Sequence, residues 1–271
     1  MLVSLGFRSS QTSMPQRNAN FGIGTLAYGN SSYTPSHARE LMEIIPVIDL
    51  LDGAVVRARQ GERARYRPIE TPLSPTSDPI DVARGLLSLH PFATIYVADL
   101  DAIAGKPDNR HALVRLRAAF AHVTFWVDNG IATLSAAEAW LDERLGDLVL
   151  GSETQADAEL VRRFADDERI ALSLDFRAQA FLGPPELLDD PSCWPQRVIA
   201  MTLARVGSGA GPDLERLTAI QEAASGREVY AAGGVRHAGD LANLARSGVA
   251  GVLVASCLHD GCLNGEDLGA F

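Results

Sequence analysis

"IIPVIDL", residues 44–50, reads as a strand covered on both faces. Six of its seven residues are apolar, the near-continuous pattern of a parallel strand buried between layers. One carboxylate, Asp49, stands near its end. An unpaired charge inside a core is costly. The stretch therefore makes sense only if the interior opens where Asp49 stands.

Outward from this stretch the same pattern recurs. Apolar β-rich runs stand at 94–100 ("TIYVADL"), 123–128 ("VTFWVD"), 148–151 ("LVLG"), 170–176 ("IALSLDF"), 198–203 ("VIAMTL"), 229–234 ("VYAAGG") and 251–256 ("GVLVAS"). Amphipathic helical patterns lie between them, as at 78–90, 134–146 and 213–224. Eight strands alternating with helices predict βαβ units and a parallel sheet. Eight units in about 220 residues predict an α/β fold, a (β/α)8 TIM barrel over residues 44–271. A doubly wound open sheet is the alternative, but no GxGxxG follows the first strand. The span from Asp175 to Thr202 contains "GPPELLDDPSCWP". Its prolines predict a fifth helix that is short or displaced.

The chain also resembles itself. Asp128-Asn129-Gly130 ends the third strand, and Gly234 lies 104 residues beyond Gly130, at the end of the seventh. Ser152 ends the fourth strand, and Ser256 stands 104 residues on, at the end of the eighth. "VIDL" and "SLDF" place Asp49 and Asp175 alike in strands one and five. This register suits a barrel made of two half-barrels.

Composition narrows the function. The 271 residues are 46% hydrophobic with a net charge of −10, and the pI is about 5.1. An acidic chain without a basic patch is a poor partner for nucleic acid. No apolar run reaches the ~18 residues of a membrane helix. Cys193, Cys257 and Cys262 form no CxxC pair, which favours a reducing, cytoplasmic setting. The histidines are scattered and no metal-ligand motif appears, so no metal is expected. Residues 1–43 are rich in Ser, Asn, Gly and Pro and lack periodicity. They read as a disordered extension or a targeting peptide, or as an upstream stretch of a chain that truly begins at Met42.

Active sites of (β/α)8 barrels form at the C-terminal ends of the strands. Asp49 and Asp175 end strands one and five, across the ring, and can serve as acid and base if their environments separate their pKa values. Asp99 and Asp101 end strand two, Asp128 strand three and Thr202 strand six. Helix capping and loop hydrogen bonding are the competing roles for such aspartates. Glycine-rich strand ends leading into helices favour anions. Gly233, Gly234, Ala255 and Ser256 would make one phosphate cradle, and Gly130, Gly151 and Ser152 its symmetry mate. Two cradles would suit a substrate phosphorylated at both ends. "GSGAGPD" (207–213) reads as a mobile loop entering a helix whose first turn holds Pro212 and Asp213.

"IPVIDLLDGAVVRARQG", "YVADLDAIAGKPDN", "SLDFR", "GPDLE", "AAGGV" and "LHDG" occur in this order between Ile44 and Cys262. Together they resemble the histidine-biosynthesis barrel family, the phosphoribosylformimino-aminoimidazole-carboxamide ribotide isomerase and its sister cyclase subunit. The resemblance implies an Amadori-type aldose–ketose rearrangement of a small phosphorylated metabolite, without metal or organic cofactor. It implies Asp49 and Asp175 as the catalytic pair, with Thr202 positioning the substrate. There are departures. Asp128-Asn129-Gly130 replaces a family Gly-Gly-Gly, Ala204-Arg205-Val206-Gly207 replaces Asp-Arg-Asp-Gly, and the long Gly-Trp loop after strand five is missing. These features, with "GERARYRPIETPLSPTSDP", resemble a divergent branch linked to one-carbon, methanopterin-type metabolism. A paralogue acting on another phosphorylated substrate, and a barrel serving only as a binding subunit, are the alternatives. The oligomeric state is not readable.

Overall fold

The computed structural model describes residues 41–58, 62 and 65–271. Of the N-terminal extension only 41–43 are among them, and Glu43 already belongs to the first strand. The rest of that expectation lies outside the described residues.

Among the described residues ten strands form one sheet: β1 (Glu43–Leu51), β2 (Ala54–Val56), β3 (Thr94–Asp99), β4 (Thr124–Asp128), β5 (Asp147–Gly151), β6 (Ile170–Arg177), β7 (Ala180–Phe181), β8 (Arg197–Thr202), β9 (Glu228–Ala232) and β10 (Gly251–Val254). Eight of these pair in parallel around a ring, β1-β3-β4-β5-β6-β8-β9-β10, and β10 closes on β1 through Glu43↔Gly251 to Pro46↔Val254. The (β/α)8 barrel expected from the alternation is the fold.

Two antiparallel additions were not anticipated. β2 folds back on β1 through Asp52-Gly53, both at positive φ (50° and 76°), the geometry that an Asp-Gly hairpin turn favours. β7 folds back on β6 by pairing Arg177 with Ala180. Some strands also stop earlier than their apolar runs. β9 ends at Ala232 because Gly233 and Gly234 adopt φ of +99° and +94°, which breaks the extended ladder.

Strand alternation builds two cores. Ile45, Tyr96, Trp126, Val149, Ala171, Ile199, Tyr230 and Leu253, one from each barrel strand, fill the interior. Trp126 and Tyr230 meet edge to face at 4.9 Å. Arg197 lies over the Trp126 ring at 4.7 Å and pairs with Asp147 at 2.8 Å. The opposite strand faces, with Ile48, Val97, Val127, Leu172 and Val198, pack against the surrounding helices.

Those helices are α1 (Pro79–Leu89), α2 (Leu100–Ile103), α3 (Arg110–Ala119), α4 (Leu134–Glu143), α5 (Glu159–Arg163), α6 (Glu186–Asp189), α7 (Leu214–Ala223), α8 (Ala238–Ser247), α9 (Ser256–His259) and α10 (Gly265–Leu268). In α1, Asp78 caps the Ile80 amide, Pro79 opens the helix, and Val82, Ala83 and Leu86 bury one face. Truncating Leu86 to alanine would cost about 2–5 kcal/mol. The fifth barrel helix shrinks to α6, followed by a short 3-10 turn at Pro191–Cys193, as the prolines predict. The fully buried Trp194 ties this segment down by donating from Nε1 to Leu187 O at 2.6 Å. Asp213 is not in the first turn of a helix: it is the N-cap of α7, accepting from Arg216 N.

Candidate active site

Following the inward positions of the strands upward leads from the packed floor to a cavity of about 460 Å³. On β1 the series Ile45, Val47, Asp49 ends in a carboxylate. On β4 the series is Trp126, Asp128, and on β6 it is Ala171, Ser173, Asp175. Asp49 and Asp128 are register partners of Ala98 from either side, so they stand at one level of the barrel. Asp49, Asp128 and Asp175 all line the cavity. The period of two that hides the rest of each strand therefore delivers these groups to the mouth.

Asp175 is only 5% exposed. Its Oδ1 accepts from Ser173 Oγ at 2.7 Å, and its Oδ2 faces Ser152 Oγ at 3.1 Å and the Glu153 amide at 3.3 Å. Burial, reinforced by the charges of Asp128 and Glu153, pushes its pKa up to about 7. The hydrogen bonds from Ser173 and Glu153 N pull the other way without cancelling this. A carboxyl that titrates near neutrality can both give and take a proton.

Tyr96 joins the group and was missed, because an aromatic in a buried strand carries no functional signal by itself. Its hydroxyl lies 3.4 Å from Asp128 Oδ2. Burial, then the charges of Asp128, Asp175 and Asp49, raise its pKa well above that of a free tyrosine. The phenol thus stays protonated beside three carboxylates and can donate to one of them or to a bound oxygen.

Other expected residues have different employment. Asp99 is fully buried and accepts from Ala102 N (3.1 Å), Asn109 N (2.6 Å) and Asn109 Nδ2 (2.7 Å). It clamps the loop between α2 and α3 and is not among the residues that line the cavity. Asp101 continues this network, accepting from Asp52 N and Asn109 Nδ2. Thr202 is buried at the end of β8 in phase with Val198 and Ala200, while Met201 and Leu203 line the cavity on either side of it.

The two expected cradles differ. Gly233, Gly234, Ala255 and Ser256 all line the cavity. A Cβ on Gly234 would lie 2.3 Å from Gly211 O, and one on Gly233 2.8 Å from Thr202 O. These glycines are therefore required by positive φ and by the close approach of the loop after β8. Ser256 opens α9, where first-turn amides have no preceding turn to donate to. At the symmetry mate two polar groups bond within the protein. Ser152 Oγ donates to Leu182 O at 2.7 Å and accepts from Asp175 N at 2.9 Å. Gly130 N donates to Asp128 Oδ1 at 3.2 Å, and its Cα packs so closely on Ile103 that a Cβ would sit 2.8 Å from Ile103 Cα.

A sequence profile of the histidine biosynthesis protein family matches residues 43–188 and 192–264. The chain belongs to that family. A 1-(5-phosphoribosyl)-5-((5-phosphoribosylamino)methylideneamino)imidazole-4-carboxamide isomerase of Rubrobacter xylanophilus is 33% identical over 250 residues, covering 85% of this chain and 96% of the relative. Its counterpart in Lacticaseibacillus casei is 30% identical, covering 82% and 96%. An uncharacterized protein of Methanocaldococcus jannaschii is 30% identical over 238 residues, covering 84% of this chain and 97% of the relative.

This family member also brings cations to the mouth that the sequence reading did not single out. Arg205 and Arg236 line the cavity beside Gly233-Gly234. Arg236 is held by a two-pronged pair with Asp240 (2.9 and 2.8 Å), and Arg205 donates to Ala210 O. Among the described residues no cluster of three or more His, Cys, Asp or Glu side chains is arranged to hold a metal ion.

Proposed function

We propose that the chain is an aldose–ketose isomerase that rearranges a phosphorylated ribosyl metabolite by acid–base chemistry, with histidine biosynthesis as its default pathway. The observation that carries the reading is the convergence of Asp49 and Asp175 on one cavity from β1 and β6, with Asp175 titrating near 7. The isomerases to which the chain is similar act on a substrate named with two phosphoribosyl groups.

In this reading Asp175 is the acid and Asp49 the base. Asp175 gives its proton to the ribose ring oxygen. The C1–O bond breaks, and the nitrogen lone pair forms the C1=N bond. Asp49 then takes the C2 proton. The C2–H electrons become the C1=C2 bond, and the C1=N electrons return to nitrogen. Proton transfer to C1 and loss of the C2 hydroxyl proton complete the aminoketose. Tyr96 stands where it can donate to the oxygen that carries charge. Gly233, Gly234 and Ser256 hold the phosphate, with Arg205 and Arg236 supplying positive charge nearby.

No helix of the described residues is long and apolar enough to cross a membrane. The reading places the enzyme in the cytoplasm, where its three free cysteines stay reduced.

A second reading has its own support. The second cradle, where two polar groups bond within the protein, and the apolar Leu203 beside Thr202 favour a paralogue that performs similar chemistry on another phosphorylated substrate, in one-carbon cofactor metabolism. A barrel that only binds is disfavoured by Asp49 and Asp175, both of which line one mouth. Complementation decides between the two enzymes. Growth of a histidine auxotroph lacking the isomerase supports the histidine reading, and failure with soluble protein supports the paralogue. If Asp49→Asn and Asp175→Asn bind substrate and turn it over like the wild type, the catalytic reading itself is wrong.

A further inference from the structure

The stretch "SCLHDGC", residues 256–262, follows β10 and carries two cysteines five positions apart. Helix α9 ends there in a Schellman motif. Gly261 adopts the left-handed φ of +70°. Its amide donates to Leu258 O at 3.2 Å, and the Cys262 amide donates to Cys257 O at 3.0 Å. This motif commonly brings the side chains of the outer bonded pair into contact. Here both are cysteines, and their thiols share a hydrogen bond. A disulfide needs Cα atoms no more than ~7 Å apart, which a direct backbone hydrogen bond between the two residues ensures. The segment is also braced from outside. Arg57 donates to Asp260 Oδ1 at 2.6 Å, and Thr71 Oγ1 donates to His259 O at 3.3 Å.

We propose that Cys257 and Cys262 form a redox-active dithiol in the wall of the cavity, which closes to a disulfide under hydrogen peroxide and reopens with a dithiol reductant. Both cysteines line the cavity, and Cys257 directly follows Ser256, which lines it too. Access is divided between them. Cys262 is exposed, and Cys257 is only 4% exposed. The oxidant therefore meets Cys262 first. Burial, and then the neighbouring Cys262, raise the Cys257 pKa, so Cys257 is the less reactive thiol until its partner is oxidised.

The steps balance. The Cys262 sulfur attacks one peroxide oxygen; the S–O bond forms, the O–O bond breaks, and the departing hydroxide takes the thiol proton to leave as water. The product is a sulfenic acid. The Cys257 sulfur then attacks the Cys262 sulfur. The S–S bond forms, the S–O bond breaks, and the Cys257 proton leaves with the hydroxyl as a second water. Peroxide gains two electrons and the two thiols lose them. In a reducing compartment the pair stays open until oxidant arrives, and thiol exchange with a reductant restores it.

Mass spectrometry of the full chain after peroxide treatment, unfolding, alkylation and trypsin digestion tests this. Cleavage after Arg246 leaves both cysteines on one peptide, residues 247–271, while Cys193 lies on another. We expect the 247–271 peptide to be two hydrogens lighter and unalkylated, and dithiothreitol to restore it. Cys193, which is 2% exposed, should remain alkylated throughout. In Cys257→Ser the oxidised Cys262 has no resolving partner, so it should accumulate as sulfenic acid trapped by dimedone or as sulfinic acid. A wild-type Cys262 that accumulates the same acids overturns the proposal. So does a wild-type 247–271 peptide alkylated at both cysteines after treatment, or a cross-link between two chains through Cys262. The wild-type measurement decides the matter even if the variant fails to fold.

Discussion

Asp128 and Asp175 face each other across Gly151. The point where a Gly151 Cβ would sit lies 3.0 Å from Asp128 Oδ2 and 3.5 Å from Asp175 Oδ2. Gly151 is itself an inward position on β5, two residues after the buried Val149. A glycine here holds open the space that lets two carboxylates approach. Its sequence context alone suggested only a phosphate contact.

Gly151→Ala should therefore disturb the pair. The new methyl group must push Asp128 away, because contacts this short are overpacked. We expect a loss of about 1–2 kcal/mol in stability and at least a tenfold fall in kcat. Urea unfolding and steady-state kinetics measure the two. An alanine variant with normal kcat would show that the approach is unimportant.

Asp128→Asn removes a charge that holds the Asp175 pKa up. If Asp175 is the general acid, activity is lost as pH rises through its pKa. The alkaline limb of the kcat profile should then move to lower pH by about one unit. A limb that stays in place would mean that Asp175 is not the acid, or that burial alone sets its titration.

Stability should report the same group. Asp175 has a folded pKa of about 7 against 3.8 for a free carboxyl, so the native state binds the proton more tightly than the unfolded chain. Its contribution is fully present below pH 3.8 and is lost as pH rises through 7. Asp175→Asn, which cannot ionise, should gain on the order of 2 kcal/mol relative to wild type between pH 5 and pH 8. Chemical denaturation at the two pH values measures the difference. Equal pH dependence in both proteins would contradict the buried titration.

Asp99→Ala should behave in the opposite way to variants of Asp128 and Asp175. It strands the amides of Ala102 and Asn109 and the side chain of Asn109, at a cost of about 2–4 kcal/mol. The pH profile of the remaining activity should not move. A shifted profile at unchanged melting temperature would return Asp99 to the site.

The barrel was legible because its signals are local. Eight apolar runs of strand length and helical patterns between them follow from period two and period 3.6 alone. The prolines between Asp175 and Thr202 announced the short α6. Asp49 and Asp175 were legible through the repeated register of "VIDL" and "SLDF". The Asp52-Gly53 hairpin was also written in the sequence, as an Asp-Gly pair after a strand, and was overlooked.

Asp99 and Asp175 show where local reading stops. Both are aspartates at strand ends with similar apolar approaches. One meets the amides of an adjoining loop and becomes a clamp; the other meets two serines, a backbone amide and a rival carboxylate and becomes a titrating group. Tyr96 gained its setting in the same way, from carboxylates on three other strands. By itself the sequence determined which residues reach the barrel mouth, since strand alternation requires only neighbours along the chain. Tertiary structure decided what each does there, because the occupancy of a hydrogen bond and the desolvation of a charge depend on groups far away in sequence. Ser152, bound to Leu182 and Asp175, is engaged within the protein on one side of a mouth that the repeat had drawn as symmetric.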